Sequence, residues 1–512
     1  MRFITTASYY QTYLIGLLIS FILPSTVLAY TATGDGCFER EPGVMRLTKP
    51  SCSFIVTPTQ TDEFVQFSLE NVDPDTVIVT PGLTGILNEP TTFTVEPWYQ
   101  VQDDLWFVAL SDNQARGTIE ANPVFEDIVP LVDAINPPFM TNSGDLIQGS
   151  TDPAILPDMF QSVLDTLTDT TVPMYPVPGN HDYDENLVTY SSYFGSPDYG
   201  FDIGPARLVA LSTAGSTSRG RVTTEQINWL DNMLASTSLQ TIVYFHHPII
   251  TPAWGKTACC FENNTERDHL ATALSTYSAD LVINGHSQGY DYQLLSAGLY
   301  QIITGGAGGR IAQPDGEQHF VLVHVTPTEV SHIMFPLADT ALAFDQTNNS
   351  GQYTQAKITS EYTGLTDLPY LRLKFKLQYQ PDATYVVYDD QGNILPYQSQ
   401  VYDDEIILLA QTQQIKNTTV IYTAQALFQV TPSNLTTQIH RVKPVTSGYS
   451  WVERPFDKTV DTTYQLNHLS GKQEVKVYVN GHLRRNIPVK QGQATFTLFS
   501  NVRRRHVIVI YS

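Results

Sequence analysis

Val177-Pro178-Gly179-Asn180-His181-Asp182-Tyr183 sets an amide oxygen beside an imidazole at a glycine turn. Both groups offer lone pairs to cations, so the stretch is a candidate for metal-site chemistry. Alone, it reads equally well as a turn whose polar side chains cap their own backbone. The segments on either side decide between the two.

Upstream, Trp106-Phe107-Val108-Ala109-Leu110 is an unbroken apolar run of the kind that makes a buried strand, and Asp112 follows it. Gly144-Asp145 follows Phe139-Met140-Thr141, and the turn itself follows the run at 174–177. Downstream, His246-His247-Pro248 follows Thr241-Ile242-Val243-Tyr244-Phe245, and Gly285-His286 follows the strand-like run at 280–283. Helical signals lie between these runs. Asn122-Pro123 pairs a cap residue with a first-turn proline, and Pro130 is expected to kink the helix it opens. Thr223 and Gln226 have capping-box spacing ahead of Ile227, Leu230 and Leu234 on one helical face. The alternation continues to about residue 340, closing with strands near 300–303 and 320–323. It predicts an α/β domain, in which a ligand site forms where the carboxyl ends of the strands fan apart.

In this order, Asp112-x-Gln114, Gly144-Asp145, Gly179-Asn180-His181-Asp182, Val243-x-x-His246-x-Pro248 and Gly285-His286-x-Gln288 resemble the five motifs of the calcineurin-like metallophosphoesterases over about residues 104–335. The helix pattern Thr224-Glu225-Gln226-Ile227-Asn228-Trp229-Leu230 is similar to the one that precedes the histidine motif in the purple acid phosphatase and phosphodiesterase branches. The resemblance implies a four-layer α/β/β/α sandwich and a centre of two divalent metal ions that activates water for attack on phosphorus. It also assigns roles: Asp145 bridges the two metals, Asp112 belongs to the first, and Asn180, His246 and His286 belong to the second. His181 becomes the histidine that contacts the phosphoryl group or protonates the leaving oxygen, and Asn180 is also a candidate substrate contact. Two cations roughly 3.5–4 Å apart need a shared anionic ligand, which a bridging carboxylate supplies.

The sequence departs from the family pattern at two positions. Gln114 and Gln288 stand where the motifs have histidine, both in the shell of the first metal. An oxygen set of Asp112, Gln114, Asp145 and Gln288 favours Mn²⁺ or Mg²⁺, while Asn180, His246 and His286 suit Zn²⁺, Mn²⁺ or Fe. Gln148 occupies the position of the purple-branch tyrosine, so no tyrosinate–iron site is expected. His247, Trp254 in the loop at 249–267, and Arg310 after Gly305-Gly306-Ala307-Gly308-Gly309 are candidate substrate contacts, each with an ordinary structural reading beside it. That glycine run fits neither a dinucleotide nor a P-loop fingerprint.

The remaining residues frame this segment. Residues 1–29, with an apolar run from 14 to 23 and Val27-Leu28-Ala29 at its end, read as a secretory signal peptide, and the run is too short to span a bilayer. Secretion, extracellular or periplasmic, fits four cysteines placed as Cys37, Cys52 and the adjacent Cys259-Cys260. These allow three pairings, of which Cys37 with Cys52 is preferred and a vicinal bridge is a strained alternative. Short alternating runs predict a β-rich N-terminal module over 30–103. The α/β domain then spans 104–340, a polar linker 341–356, and β-sandwich-like modules 357–512. From residue 351 the chain has 17 Lys and Arg against 12 Asp and Glu, leaving 11 against 39 in the first 350 residues. So acidic a body, without a basic stripe, argues against nucleic-acid polymers. The C-terminal modules, with Arg484-Arg485 and Arg503-Arg504-Arg505, are left to bind a surface or another protein, or simply to solvate a sheet face. The expected function is a secreted, metal-dependent hydrolase of a small phosphorylated substrate. The competing expectation is a non-catalytic binding protein built on the same fold.

Overall fold

The apolar run at 106–110 becomes the strand Leu105–Leu110, almost wholly buried because it lies inside a sheet covered on both faces. In the computed structural model the described residues are 30–117, 122–235, 237–255, 260–380, 383–427, 430–432, 437–445, 448–455, 461–466, 469, 471–499 and 505–511. The expected leader at 1–29, and Cys259, Arg503 and Arg504, lie outside them.

The first sheet runs Met174–Pro176, Met140–Asn142, Leu105–Leu110, His319–Thr326, Glu329–Pro336. Its first three strands are parallel and the last two antiparallel. The second runs Tyr199–Ile203, Ala206–Ala210, Gln240–Tyr244, Leu281–Asn284, Leu299–Thr304, Tyr290–Ser296, with the middle four parallel. Alternation along each strand sorts the side chains. Phe107, Ala109, Tyr244, Ile283, Val321 and Val323 meet in one cluster shared by the two sheets, whereas Val108 and Leu110 face a cluster that includes helical residues.

Helices α1 (Pro123–Ile135), α2 (Leu156–Leu167) and α3 (Val188–Phe194) supply that second cluster. Helices α4 (Thr224–Leu234) and α5 (Asn264–Thr276) cover the second sheet through Leu230, Leu234, Leu270 and Leu274, packed with Val209, Val243 and Val282. Asn122 caps α1 by accepting from Val124 and Phe125, and Thr223 with Gln226 closes a full capping box on α4. Helix α1 runs on past Pro130 to Ile135, so the proline does not end it.

Before the first sheet, strands from Tyr30–Asp35 to Thr91–Pro97 enclose Phe54, Phe93 and Val95 beside the Cys37–Cys52 disulfide, whose Cα atoms are 5.6 Å apart. Cys260 is also disulfide-bonded. Residues 341–356, expected to be a linker, contain the strand Ala341–Thr347, paired antiparallel with Gln355–Thr363. It is an edge strand with most residues exposed or half-exposed, which is why its composition reads as a loop. The strand Leu368–Gln378 packs against α1, and Arg372 donates to Asn136 Oδ1 at 2.8 Å. A last pair of sheets surrounds Trp451, Tyr464 and Phe496. There Asn480 (φ 49°) and Gly481 (φ 81°) join Glu474–Val479 to His482–Pro488, the two positive φ angles a tight hairpin requires. Arg505 does not lie on a solvated face: it is buried in an ion pair with Glu453. No helix among the described residues is long and apolar enough to cross a membrane.

Candidate metal centre

All five motif segments sit just past the carboxyl ends of parallel strands from the two sheets. Their loops are tied to one another by backbone and amide hydrogen bonds. Asp112 N donates to Gly144 O at 2.9 Å, Val177 N to Asn142 O at 2.9 Å, and Gly285 N to His246 O at 3.0 Å. Asn142 Nδ2 donates to Asn113 Oδ1 at 2.8 Å, and Asn113 Nδ2 passes the link on to Leu146 O at 2.8 Å. Asp112, Gln114, Asp145 and His286 all have φ between 46° and 63°. Left-handed backbone costs a non-glycine residue of order 1 kcal/mol or more and persists where the surroundings impose it, often at functional sites. Glycine is required at 144, where φ is 103° and a Cβ would lie 2.7 Å from Gly179 N and 2.8 Å from His246 Nδ1.

Within this frame the side chains converge. His246 Nε2 is 3.2 Å from Asp145 Oδ1 and 3.2 Å from Asn180 Oδ1, while its Nδ1 bonds to Ser143 O at 2.9 Å. His286 Nδ1 is 2.9 Å from the same Asn180 oxygen. Asp112 Oδ2 accepts from Ser111 Oγ at 2.8 Å and from His286 N at 2.9 Å. Asp145 Oδ1 accepts His181 N at 2.9 Å, and His181 Nε2 lies 3.9 Å from Asp145 Oδ2. His181 Nδ1 bonds to the Gln148 carbonyl. A carbonyl only accepts, so Nδ1 carries the hydrogen and Nε2 is the nitrogen turned to Asp145, on a side chain 35% exposed.

The electrostatics follow from burial. Burial and the Asp145 charge push Asp112 up to about 6. Burial would also raise Asp145, but His246, and less strongly His181, hold it below the usual carboxylate range. Burial alone would lower His246, yet the two aspartates bring it up to about 9. His247 is held well below the ordinary imidazole value by burial and by its histidine neighbours.

The residues fit a metal centre. Ligand atoms of Asp112, Asp145 and His246 all lie within 4.8 Å of one another, and so do those of His246, His247 and His286. Asp112 Oδ1 is buried without a hydrogen-bond partner among the described residues, which is costly for a carboxylate oxygen unless a cation takes the place of a donor. Gln114 and Gln288 reach the same place: a Cβ on Gly309 would lie 3.0 Å from both Gln114 Oε1 and Gln288 Nε2. Gln114 Nε2 is 3.4 Å from Asp145 Oδ2.

The three outer candidates fall differently. Trp254, half-buried, lies against the last motif, its ring edge 3.1 Å from a Cβ built on Gly289. Arg310 is exposed, one residue beyond Gly309. His247 is fully buried, its Nδ1 2.9 Å from Thr213 Oγ1, so it is not open to a phosphate arriving from solvent. Sequence reading gave no role to Asp182, which accepts the backbone N–H groups of Leu146, Ile147 and Gly179 and so joins two motif loops. Its place inside Gly-Asn-His-Asp was the available signal. Burial and the Asp145 charge push its carboxyl up to about 7 against those three donors. Ser111 and Thr213 gave no signal, since their partners are remote in sequence.

Residues 105–290 match the family model of the calcineurin-like phosphoesterases. A Synechococcus protein named "Probable cyclic nucleotide phosphodiesterase" is 30% identical over 117 residues, which are 22% of this chain and 43% of the relative. The chain thus spans less than half the length of that relative. Among solved structures, a yellow lupin purple acid phosphatase is similar at 14% identity over 62% of this chain and 70% of its own, with a TM-score of 0.39. A dimetal phosphatase from Danio rerio is similar at 15% identity over 45% of this chain and 99% of its own, with a TM-score of 0.34.

Proposed function

We propose that the protein is a secreted, metal-dependent phosphoester hydrolase, a phosphatase or phosphodiesterase. In this reading its catalytic four-layer sandwich over 104–340 is flanked by β modules over 30–103 and 357–512. The observation that carries the reading is the convergence of two buried carboxylates, Asp112 and Asp145, with His246, His286 and Asn180 at one edge of the sheets. Asp112, Gln114, Asp145 and Gln288 would hold one cation through oxygen, and Asn180, His246, His286 and Asp145 the other. When bound, such cations supply Lewis-acid polarisation of phosphoryl oxygens and lower the pKa of water.

The chain's own residues do the rest. Asp145 carries the shared negative charge. Asn180 Oδ1 keeps His246 and His286 facing one another's site. The Gln148 carbonyl fixes Nδ1–H of His181, so a proton given to a leaving oxygen departs from Nε2, as general acid catalysis requires of a group at hydrogen-bond reach. The packed loops around Asp112 and His246 exclude water and strengthen these interactions.

A non-catalytic reading draws on one observation: the Gln114 amide nitrogen lies 3.4 Å from Asp145 Oδ2, where a neutral donor would replace a cation. Metal analysis with turnover of aryl phosphate mono- and diesters separates the two. The catalytic reading expects Mn²⁺- or Mg²⁺-dependent turnover that falls on the order of a thousandfold in Asp145→Asn, several kcal/mol of lost transition-state stabilisation. No turnover by the loaded protein, or an unaffected variant, leaves the binding-protein reading standing.

A further inference from the structure

We propose that His247 is a direct nitrogen ligand of the cation held by Asn180, His246 and His286, so that this half of the centre is a three-imidazole site. The inference rests on the reading of these loops as a metal centre, and it adds a ligand that the motif pattern does not contain.

Three observations meet at this residue. His247 has no solvent exposure, and its Nε2 is buried without a hydrogen-bond partner among the described residues. The other ring nitrogen is accounted for: Nδ1 lies 2.9 Å from Thr213 Oγ1. Thr213 Oγ1 also accepts the His247 backbone N–H at 3.2 Å, which fixes the residue at both ends.

That nitrogen has company. The His247 ring centroid is 4.7 Å from that of His286 and 4.8 Å from that of His246, and the ligand atoms of the three rings lie within 4.8 Å of one another. Gly220 presses on the other side, where a Cβ would stand 2.7 Å from His247 Cβ, so the ring is braced from behind. A buried ring nitrogen with no partner is destabilising; a Lewis acid on it relieves the cost, and a second-sphere oxygen on the far nitrogen is a usual way a ligating imidazole is oriented. Three imidazoles favour a borderline first-row cation such as Zn²⁺ over Mg²⁺.

X-ray absorption at the zinc edge, on the full chain loaded with one equivalent of Zn²⁺, counts imidazoles directly and needs no variant. The proposal expects three in the native protein and two in His247→Ala. Two imidazoles in the native protein, or an unchanged count in a folded variant, would overturn it while leaving the metal centre intact. If the protein retains no zinc and no other divalent cation, the underlying metal-centre reading falls, and the ligand assignment with it.

Discussion

Asp182 Oδ2 accepts the backbone N–H of Gly179 at 2.8 Å, and the same carboxylate takes Leu146 N at 3.1 Å and Ile147 N at 3.0 Å. One side chain outside the proposed metal-ligand set thereby ties the loop that carries Asp145 to the loop that carries Asn180 and His181.

Asp182→Ala strands three buried N–H donors at a cost of about 1–3 kcal/mol each. The expected result is a loss of more than about 3 kcal/mol in urea unfolding, with cation affinity falling in parallel. Asp182→Asn keeps one acceptor oxygen and should fall between. Native stability in the alanine variant would show that the carboxylate does not hold the loops.

The metal-free protein should lose stability as pH rises. Asp112 at about 6, Asp182 at about 7 and His246 at about 9 all have folded values above their unfolded ones. Their contributions are complete below the unfolded values of about 3.9 for a carboxyl and about 6.5 for histidine. They fade as pH climbs through the folded values. Asp145 and His247 have the opposite sign: the Asp145 contribution is lost only as the solution becomes strongly acidic, and the neutral, buried His247 adds stability as pH rises to the unfolded histidine value of about 6.5, so the fall is expected above that value. Because cations displace the same protons, their affinity should rise over the window in which the metal-free protein weakens. Melting curves in EDTA from pH 7 to 9, paired with titration calorimetry, check both slopes; a metal-free melting temperature that rises across that range would contradict the assignment.

Gln288→His should move the metal preference of the Asp112 side from Mn²⁺ or Mg²⁺ toward Zn²⁺, since it replaces an amide oxygen by an imidazole nitrogen in the same loop. Competition dialysis against mixed cations reads the change. An unaltered profile would mean that Gln288 does not face a cation.

Arg372 tests how firmly the strand Leu368–Gln378 is joined to the end of α1. Its Nη2 donates to Asn136 Oδ1 at 2.8 Å and to Pro137 O at 3.3 Å, its guanidinium lies 5.0 Å from the Tyr99 ring centroid, and Asn136 Nδ2 returns a bond to Arg372 O at 3.1 Å. Arg372→Ala should cost on the order of 2–3 kcal/mol, seen in chemical unfolding. Arg372→Lys should recover only part of it, because an ammonium cannot match the planar fork. Full recovery by lysine would reduce the residue to a point charge.

Much of the site was legible because each motif follows directly on an apolar strand: Asp112 after 106–110, His246 after 241–245, His286 after 280–283. What the sequence concealed were partners across space. His247 could face substrate or core until Thr213, from the preceding strand's loop, showed which way it turns. The strand Ala341–Thr347 was hidden by its position at a sheet edge, where polar residues are tolerated and the hydrophobic alternation fades. Arg505 sits in a run of three arginines that reads as surface charge, and only Glu453, 52 residues earlier, reveals it as an interior ion pair.

Val129 and Val132 of α1 share one apolar cluster with Ile358, Leu371, Leu373 and Tyr422, whereas Trp451, Tyr464 and Phe496 belong to a cluster of their own. The strands Gln355–Thr363 and Leu368–Gln378 are therefore packed into the same interior as α1 and are not an appendage. A fragment ending near residue 340 would leave one flank of α1 open to water and should come out of expression as aggregate. Calorimetry of the whole chain should record two heat-absorption events, the larger taking the two parallel-stranded sheets together with the strands packed on α1, the smaller belonging to the last pair of sheets alone.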